Sequence, residues 1–286
     1  MAELTYLQAV VIGIVQGATE LFPISSLGHA ILVPSLLGGS WSHLAAETTA
    51  SDGSSYLAFI VALHVATALA LIVFYWKTWL TLAGSFLRTL RTRRIETSNE
   101  RLIWLLSIAT IPVGILGLLF EHSFRTLFAK PLLAAIFLMA NGLILIGAEQ
   151  LRRRNARPAR QLATLSFAEA GAIGTFQTLA LLAGISRSGI SMVGGLVRGL
   201  SHEDATNFSF LMATPVILAA GVLKLPELLQ PEALAIRGQV IVGALVAALA
   251  AFLSAKFLTK YFETKTLTPF GIYCVVVGLL CILRFA

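Results

Sequence analysis

The sequence predicts an all-α integral membrane protein of six transmembrane helices plus two re-entrant helix–loop–helix segments, arranged as an inverted-topology repeat. Three observations carry this. Of 286 residues, 57% are apolar or aromatic and 12% are charged, against roughly 45–50% and about 25% in soluble domains. So few charges cannot clothe a water-soluble fold. The apolar residues gather into runs long enough to cross a bilayer core of about 30 Å, and one stretch recurs at a fixed offset.

The first element, Leu4 to Leu37, is an apolar run, a Pro/Gly/Ser break holding polar residues, and a second short run. Neither half is long enough to cross alone. The segment is therefore expected to enter, turn at depth and leave on the same side, with its irregular backbone satisfied by protein or water. It lacks the basic start and small-residue cleavage site of a signal peptide, so it is expected to stay. Three spans follow: Leu57 to Trp76, Leu102 to Phe120 and Pro131 to Ala148. A second broken segment, Phe167 to Val197, repeats the pattern of the first. Phe208 to Leu223, Val240 to Leu258 and Leu267 to Leu283 complete the six spans. Cys274 and Cys281 lie a heptad apart in the last one, about 10 Å along a helix axis, too far to pair.

Arginines orient these elements. The net charge of +7 is not that of a nucleic-acid binder, because the arginines form no basic face. They fall in two connections, Arg88, Arg91, Arg93, Arg94 and Arg101 in one, Arg152, Arg153, Arg154, Arg157 and Arg160 in the other. By the positive-inside rule both are cytoplasmic. Counting outward puts the loop Gly38 to Tyr56, the first broken segment and both termini outside, whereas the second broken segment starts and ends inside.

Sliding the chain by 161 residues aligns Val11 to His29 with Ala172 to Ile190 without a gap. Seven of the nineteen pairs are identical: Ile12/Ile173, Gly13/Gly174, Gln16/Gln177, Leu21/Leu182, Ile24/Ile185, Ser25/Ser186 and Gly28/Gly189. Composition alone gives about one or two. Each copy is followed by three spans, an odd number, so the halves, about 1–150 and 165–286 of a single membrane domain, have opposite orientation. In such plans broken helices meet and build a site.

Both breaks carry chemistry. In the first, Gln16 and Glu20 share a helix face one turn apart, and a hard cation such as Mg²⁺ takes such oxygens. An ionisable group inside a hydrophobic segment is costly, which makes Glu20 and His29 functional candidates. The structural alternative is that Glu20 merely caps or pairs. In the second break Arg187 is the one charge between Ala170 and Val197. Its planar fork fits phosphate oxygens, and Gly184, Ser186, Ser188, Gly189 and Ser191 around it make an anion nest at a helix start. Here the structural alternative is that Arg187 only neutralises Glu20. Both readings bring the two breaks into contact. His64 and Asn141, inside spans, read as helix-packing residues; His43, His122 and His202 read as solvated loop residues.

Together the two motifs resemble the undecaprenyl-diphosphate phosphatase family, bacterial membrane enzymes also known as bacitracin-resistance proteins. The likeness covers nearly the whole chain and rests on Gln16-x-x-x-Glu20, on Pro-x-Ser-Ser-x-Gly-His from Pro23 to His29, and on Gly-x-Ser-Arg-Ser from Gly184 to Ser188. Leu27, Ala183 and Ser191 depart from the usual threonine, proline and threonine, and Gln16 is the less acidic of two permitted residues. The resemblance implies hydrolysis of a polyprenyl diphosphate lipid to the monophosphate and inorganic phosphate, recycling the carrier of cell-wall sugars and conferring bacitracin resistance. It implies a divalent cation, Mg²⁺ or Ca²⁺, at Gln16 and Glu20. Glu20, Ser26, His29 and Arg187 would carry the chemistry, and Ser25, Gly184, Ser186, Ser188 and Ser191 would bind the substrate. The expected partners are the lipid diphosphate and membrane lipids, and the expected location is the bacterial inner membrane. Because Glu20, Ser26 and His29 all belong to the break that enters from outside, the site is expected to open to the periplasmic face. Attack by Ser26 or His29 and attack by a water activated by His29 and Glu20 both remain open. The competing class is a lipid or small-anion transporter or flippase, which shares the inverted-repeat plan.

Overall fold

The computed structural model describes residues 4–41, 44, 55–128, 130–154, 158–228 and 235–286. Most of the Gly38-to-Tyr56 connection, with His43, and also Arg157 and the His122 side chain, lie outside the described residues. The chain is all-α. Its helices are α1 (Tyr6–Leu21), α2 (Ser26–Leu37), α3 (Ser55–Phe74), α4 (Trp76–Thr92), α5 (Ser98–Phe128), α6 (Pro131–Arg154), α7 (Phe167–Thr178), α8 (Arg187–Val197), α9 (His202–Leu228), α10 (Arg237–Tyr261) and α11 (Thr268–Phe285).

Five of these, α5, α6, α9, α10 and α11, are each long and apolar enough to cross a membrane. A sixth span arises if α3 and α4, bent by 85° at Tyr75, count as one. The protein is a multi-pass integral membrane protein. Leucines such as Leu118, Leu245 and Leu283 accordingly stand on its outer surface, where a soluble protein would not gather them. The connection after Trp76, which reads as a loop, is helical as far as Thr92. α4 is amphipathic, with Leu82 buried and Arg88 and Arg91 on the exposed side.

The 161-residue offset extends into local structure beyond the identical residues. Thr5 opens α1 with a capping box, its hydroxyl accepting from Gln8 N at 3.2 Å while Gln8 Oε1 accepts from Thr5 N at 2.9 Å. Ser166 and Glu169 make the same reciprocal pair at the start of α7, at 3.2 and 2.8 Å. Each box satisfies two backbone donors that a helix start leaves free.

α1 packs on α10, the penultimate helix of the chain, and α7 packs on α5, the penultimate helix of the first half. The repeated Gly13 and Gly174 permit both approaches. A Cβ at Gly13 would stand 2.7 Å from Gly243 O, and one at Gly174 2.1 Å from Ala109 O, closer than any side chain fits. α6 lies along α11 and α3 along α9, which closes the bundle around the two breaks.

Candidate active site

Pro23 ends α1. The residue before a proline is pushed out of the helical region, and Phe22 is extended (φ −62°, ψ 142°). The Phe22 ring then wedges against Phe257 and Phe270, with centroids 5.9 and 5.6 Å away, fixing the break to α10 and α11. Ser25 turns the chain with φ 70°, a left-handed conformation that costs a non-glycine residue about 1–3 kcal/mol. What the turn achieves is to open α2 at Ser26, directed back toward the end of α1.

The second break interlocks with the first. Gly184 has φ 111°, and a Cβ there would lie 2.4 Å from Ala134 O. Ser25 Oγ accepts from both Gly28 N and Gly184 N, each at 3.2 Å. The equivalent Ser186 caps α8, accepting from Gly189 N at 3.1 Å. Asn141 on α6 spans the two breaks, donating to Pro23 O and accepting from Ser186 N, both at 3.0 Å. Ser188 Oγ donates to Phe22 O at 3.1 Å, and Ser191 Oγ lies 3.5 Å from Gln177 Oε1. The hydroxyls of Ser186, Ser188 and Ser191 are thus buried and bonded to protein atoms. They shape the break from within.

Three chemical groups meet where the breaks touch: Glu20 from the last turn of α1, Ser26 from the first turn of α2 and Arg187 from the first turn of α8. Glu20 Oε2 accepts from Ser26 Oγ at 2.6 Å and from Gln16 Nε2 at 2.9 Å. Glu20 Oε1 accepts from Arg187 Nη2 at 3.1 Å and Nε at 3.3 Å. Arg187 Nη1 also reaches Ser209 O, at 3.4 Å. The carboxylate is therefore surrounded by donors, as a charge so deeply buried must be.

A further functional candidate joins the cluster. His64 on α3, which reads as a packing residue in sequence, lies with Nε2 3.5 Å from Glu20 Oε2. Its Nδ1 is held by Ile60 O at 2.9 Å. The His64 side chain is 27% exposed, against 4% for Glu20 and 13% for Arg187, so the cluster opens along the His64 edge. The rule that singles out Glu20 and His29, an ionisable group within an apolar segment, applies equally to His64.

His29 is engaged elsewhere. Nδ1 lies 2.7 Å from Ser25 O, a carbonyl that can only accept, so Nδ1 donates there, and Nε2 stands 2.8 Å from Tyr273 Oη. The two rings stack at 5.8 Å. Tyr273, within the apolar run of the last span, offered no signal in the sequence. His202, which reads as solvated, is largely covered and pairs with the buried Glu149, Nε2 to Oε1 at 2.5 Å.

Two features bear on ligands. Gln16 Oε1 is buried and without a hydrogen-bond partner, and an unpartnered acceptor one helical turn from a carboxylate fits a cation. The first turns of α2 and α8 bring amides with no intrahelical acceptor to the same place as Arg187, a combination that draws anions. A hydroxyl whose proton can pass to a carboxylate thus stands beside an anion-binding guanidinium.

A family model described as "Bacitracin resistance protein BacA" matches residues 9–280. The undecaprenyl-diphosphatase 2 of Frankia alni is 56% identical, with 100% of this chain and 99% of that protein aligned. The undecaprenyl-diphosphatase of Mycolicibacterium paratuberculosis is 52% identical over 97% of this chain and 96% of its own length. That of Gluconacetobacter diazotrophicus is 44% identical over 96% and 95%.

Proposed function

The chain belongs to the bacitracin resistance protein BacA family, and from that premise we propose that it hydrolyses undecaprenyl diphosphate to the monophosphate and inorganic phosphate. It is a phosphohydrolase that recycles a lipid carrier. The observation that carries the reading to particular residues is the 2.6 Å contact of Ser26 Oγ with Glu20, on the carboxylate that also holds Arg187.

The reaction runs through a seryl intermediate. Ser26 Oγ attacks the terminal phosphorus while its proton passes to Glu20 Oε2, and the bond to the bridging oxygen breaks. The lipid monophosphate leaves as an anion and needs no proton. Water then attacks the phosphoseryl phosphorus, the bond to Ser26 Oγ breaks as Glu20 returns its proton to that oxygen, and inorganic phosphate departs carrying both hydrogens of the water. Arg187 and the amides at the starts of α2 and α8 stabilise charge on the transferring group. Ser25, Gly184, Ser186, Ser188 and Ser191 hold the breaks so that Arg187 faces the diphosphate. His29 orders the first turn of α2 through Ser25 and Tyr273.

Gln16 and Glu20 would hold a divalent cation, Mg²⁺ or Ca²⁺. When bound, it would neutralise charge on the diphosphate oxygens.

Purified protein supplied with undecaprenyl diphosphate, with and without Mg²⁺, should release inorganic phosphate. Movement of the lipid across a bilayer without phosphate release would favour the transporter class instead.

Arg187→Lys keeps the charge but replaces a planar fork with a point donor. It is expected to lower turnover at least about tenfold, or ~1.4 kcal/mol. Near-normal turnover would mean that Arg187 supplies charge alone.

The architecture belongs to the same proposal: six spans and two re-entrant segments, related as an inverted repeat. The paired capping boxes at Thr5 and Ser166, the paired caps at Ser25 and Ser186, and the reciprocal packing of α1 on α10 and α7 on α5 support it. The protein would sit in the bacterial inner membrane with its arginine-rich connections in the cytoplasm and the Glu20 cluster open to the periplasm. Single cysteines at the exposed Ser40 and Ser98, in a variant lacking the buried Cys274 and Cys281, should react with an impermeant reagent from opposite faces. Labelling from one face only would overturn the inverted repeat.

A further inference from the structure

The end of the molecule where α6 and α8 finish and α7 begins contains a second built feature that the hydrolytic site does not use. A cavity of about 680 Å³ opens there, lined by Leu151, Arg152, Arg160, Glu169, Val197 and Arg198 among others. Two of its arginines are fixed from behind. Arg152 Nη1 donates to His202 Nδ1, and His202 Nε2 in turn meets the buried Glu149, whose Oε1 also accepts from Leu267 N at 2.8 Å. Arg160 makes a two-point pair with Glu169, at 2.6 and 3.3 Å, and donates to Arg198 O at 3.2 Å. The hydrogen bond from Arg160, joined by the Ser166 amide, holds the Glu169 carboxyl down at about 2, so this pair stays ionised.

Arg198 has no acidic partner among the described residues. Three guanidinium groups around the cavity thus answer two carboxylates, Glu149 and Glu169, and leave one positive charge uncompensated. The wall is not uniformly polar. Leu151 and Val197 are 48% and 46% exposed, presenting hydrocarbon beside the guanidinium groups. An inorganic anion has no use for that half of the wall. A molecule with a phosphate joined to acyl chains fits both halves, and basic pockets between membrane helices on the cytoplasmic side are suited to such headgroups.

We propose that this cavity binds the phosphate of an anionic glycerophospholipid, with Arg152, Arg160 and Arg198 around the headgroup and an acyl chain along Leu151 and Val197. The site is separate from the Glu20 cluster, and its occupation does not depend on the reaction assigned there.

The test uses the full-length protein in phosphatidylcholine nanodiscs with and without phosphatidylglycerol, followed by native mass spectrometry of the released complexes. Phosphatidylglycerol should be retained in preference to phosphatidylcholine. Arg198→Gln should reduce that retention about fivefold, the factor one basic residue near an anionic surface contributes, and Arg198→Lys should restore most of it. Arg153→Gln removes the same charge from an exposed neighbour at the same end of α6 and should leave retention unchanged. Equal losses in Arg153→Gln and Arg198→Gln would reduce the effect to diffuse attraction and overturn the site. Displacement of the lipid by inorganic phosphate would equally overturn it, showing a free-anion site. Phosphate release by each variant in phosphatidylcholine reports whether it has folded.

Discussion

Replacing Glu20 by glutamine is expected to lower kcat for phosphate release by about 10²–10⁴-fold, the range that a positioned general base contributes. The substitution preserves size and leaves an amide in place of the carboxylate that accepts the Ser26 hydroxyl at 2.6 Å. An amide cannot take that proton. It also removes the anion facing Arg187, and an unpaired buried charge costs roughly 3–5 kcal/mol, so activity and unfolding need to be measured together. The double variant Glu20→Gln/Arg187→Met isolates the counter-ion role in unfolding alone: with neither charge left unpaired, stability should recover, while activity stays lost because Arg187 also serves the diphosphate. The base role is read in Glu20→Gln itself, whose kcat should still fall under conditions where the variant is fully folded. Glu20→Asp keeps the charge but shortens the reach to Ser26, and should fall between the parent and Glu20→Gln.

The contact between the breaks was legible because each holds an ionisable group that an apolar segment cannot carry alone. Glu20 and Arg187 are 167 positions apart, yet the cost of burying each one unpaired foretells their meeting. The correspondence at a 161-residue offset was legible where residues are identical. Thr5 and Ser166 differ in identity while performing the same cap, as do Gln8 and Glu169, so that likeness emerges only in the structure. The offset also pairs Ser26 with Arg187, so the first turns of α2 and α8 supply a hydroxyl and a guanidinium at matching positions.

Other contacts depend on tertiary packing. His64 carries the same signal as Glu20 and His29, an ionisable group in an apolar span, but the packing of α3 beside α1 decides that it meets Glu20. Tyr273 is one aromatic residue among many in α11, where its hydroxyl finds His29 through tertiary packing. His202 follows a glycine turn and begins a helix, which reads as surface until Glu149 covers it. The helical period of α4 is present in the sequence, its leucines recurring on one face with arginines on the other.

Ser26→Ala should abolish steady-state phosphate release almost entirely, lowering kcat at least about 10³-fold with little change in KM, because a nucleophile acts in the transition state and adds little to ground-state binding. The fold should survive. Among the described residues the Ser26 side chain makes one hydrogen bond, to Glu20, and that carboxylate keeps Gln16 and Arg187 as donors. The competing schemes give different results. A water activated by Glu20 would leave Ser26→Ala within about tenfold of the parent, since only a positioning hydrogen bond is lost. Attack by His29 would leave a phosphoramidate, which is labile in acid and stable in base, whereas a phosphoseryl ester has the opposite lability. Rapid quenching after mixing with diphosphate lipid labelled in its terminal phosphate therefore identifies the intermediate directly. The geometry favours serine: Ser26 Oγ already donates to its base, while Nε2 of His29 is engaged with Tyr273 Oη at 2.8 Å. Acid-stable label on Ser26, absent from Ser26→Ala and still formed in Tyr273→Phe, is the expected outcome. Label on His29 would transfer the nucleophilic role to the ring and leave Tyr273 as the group that must first release it.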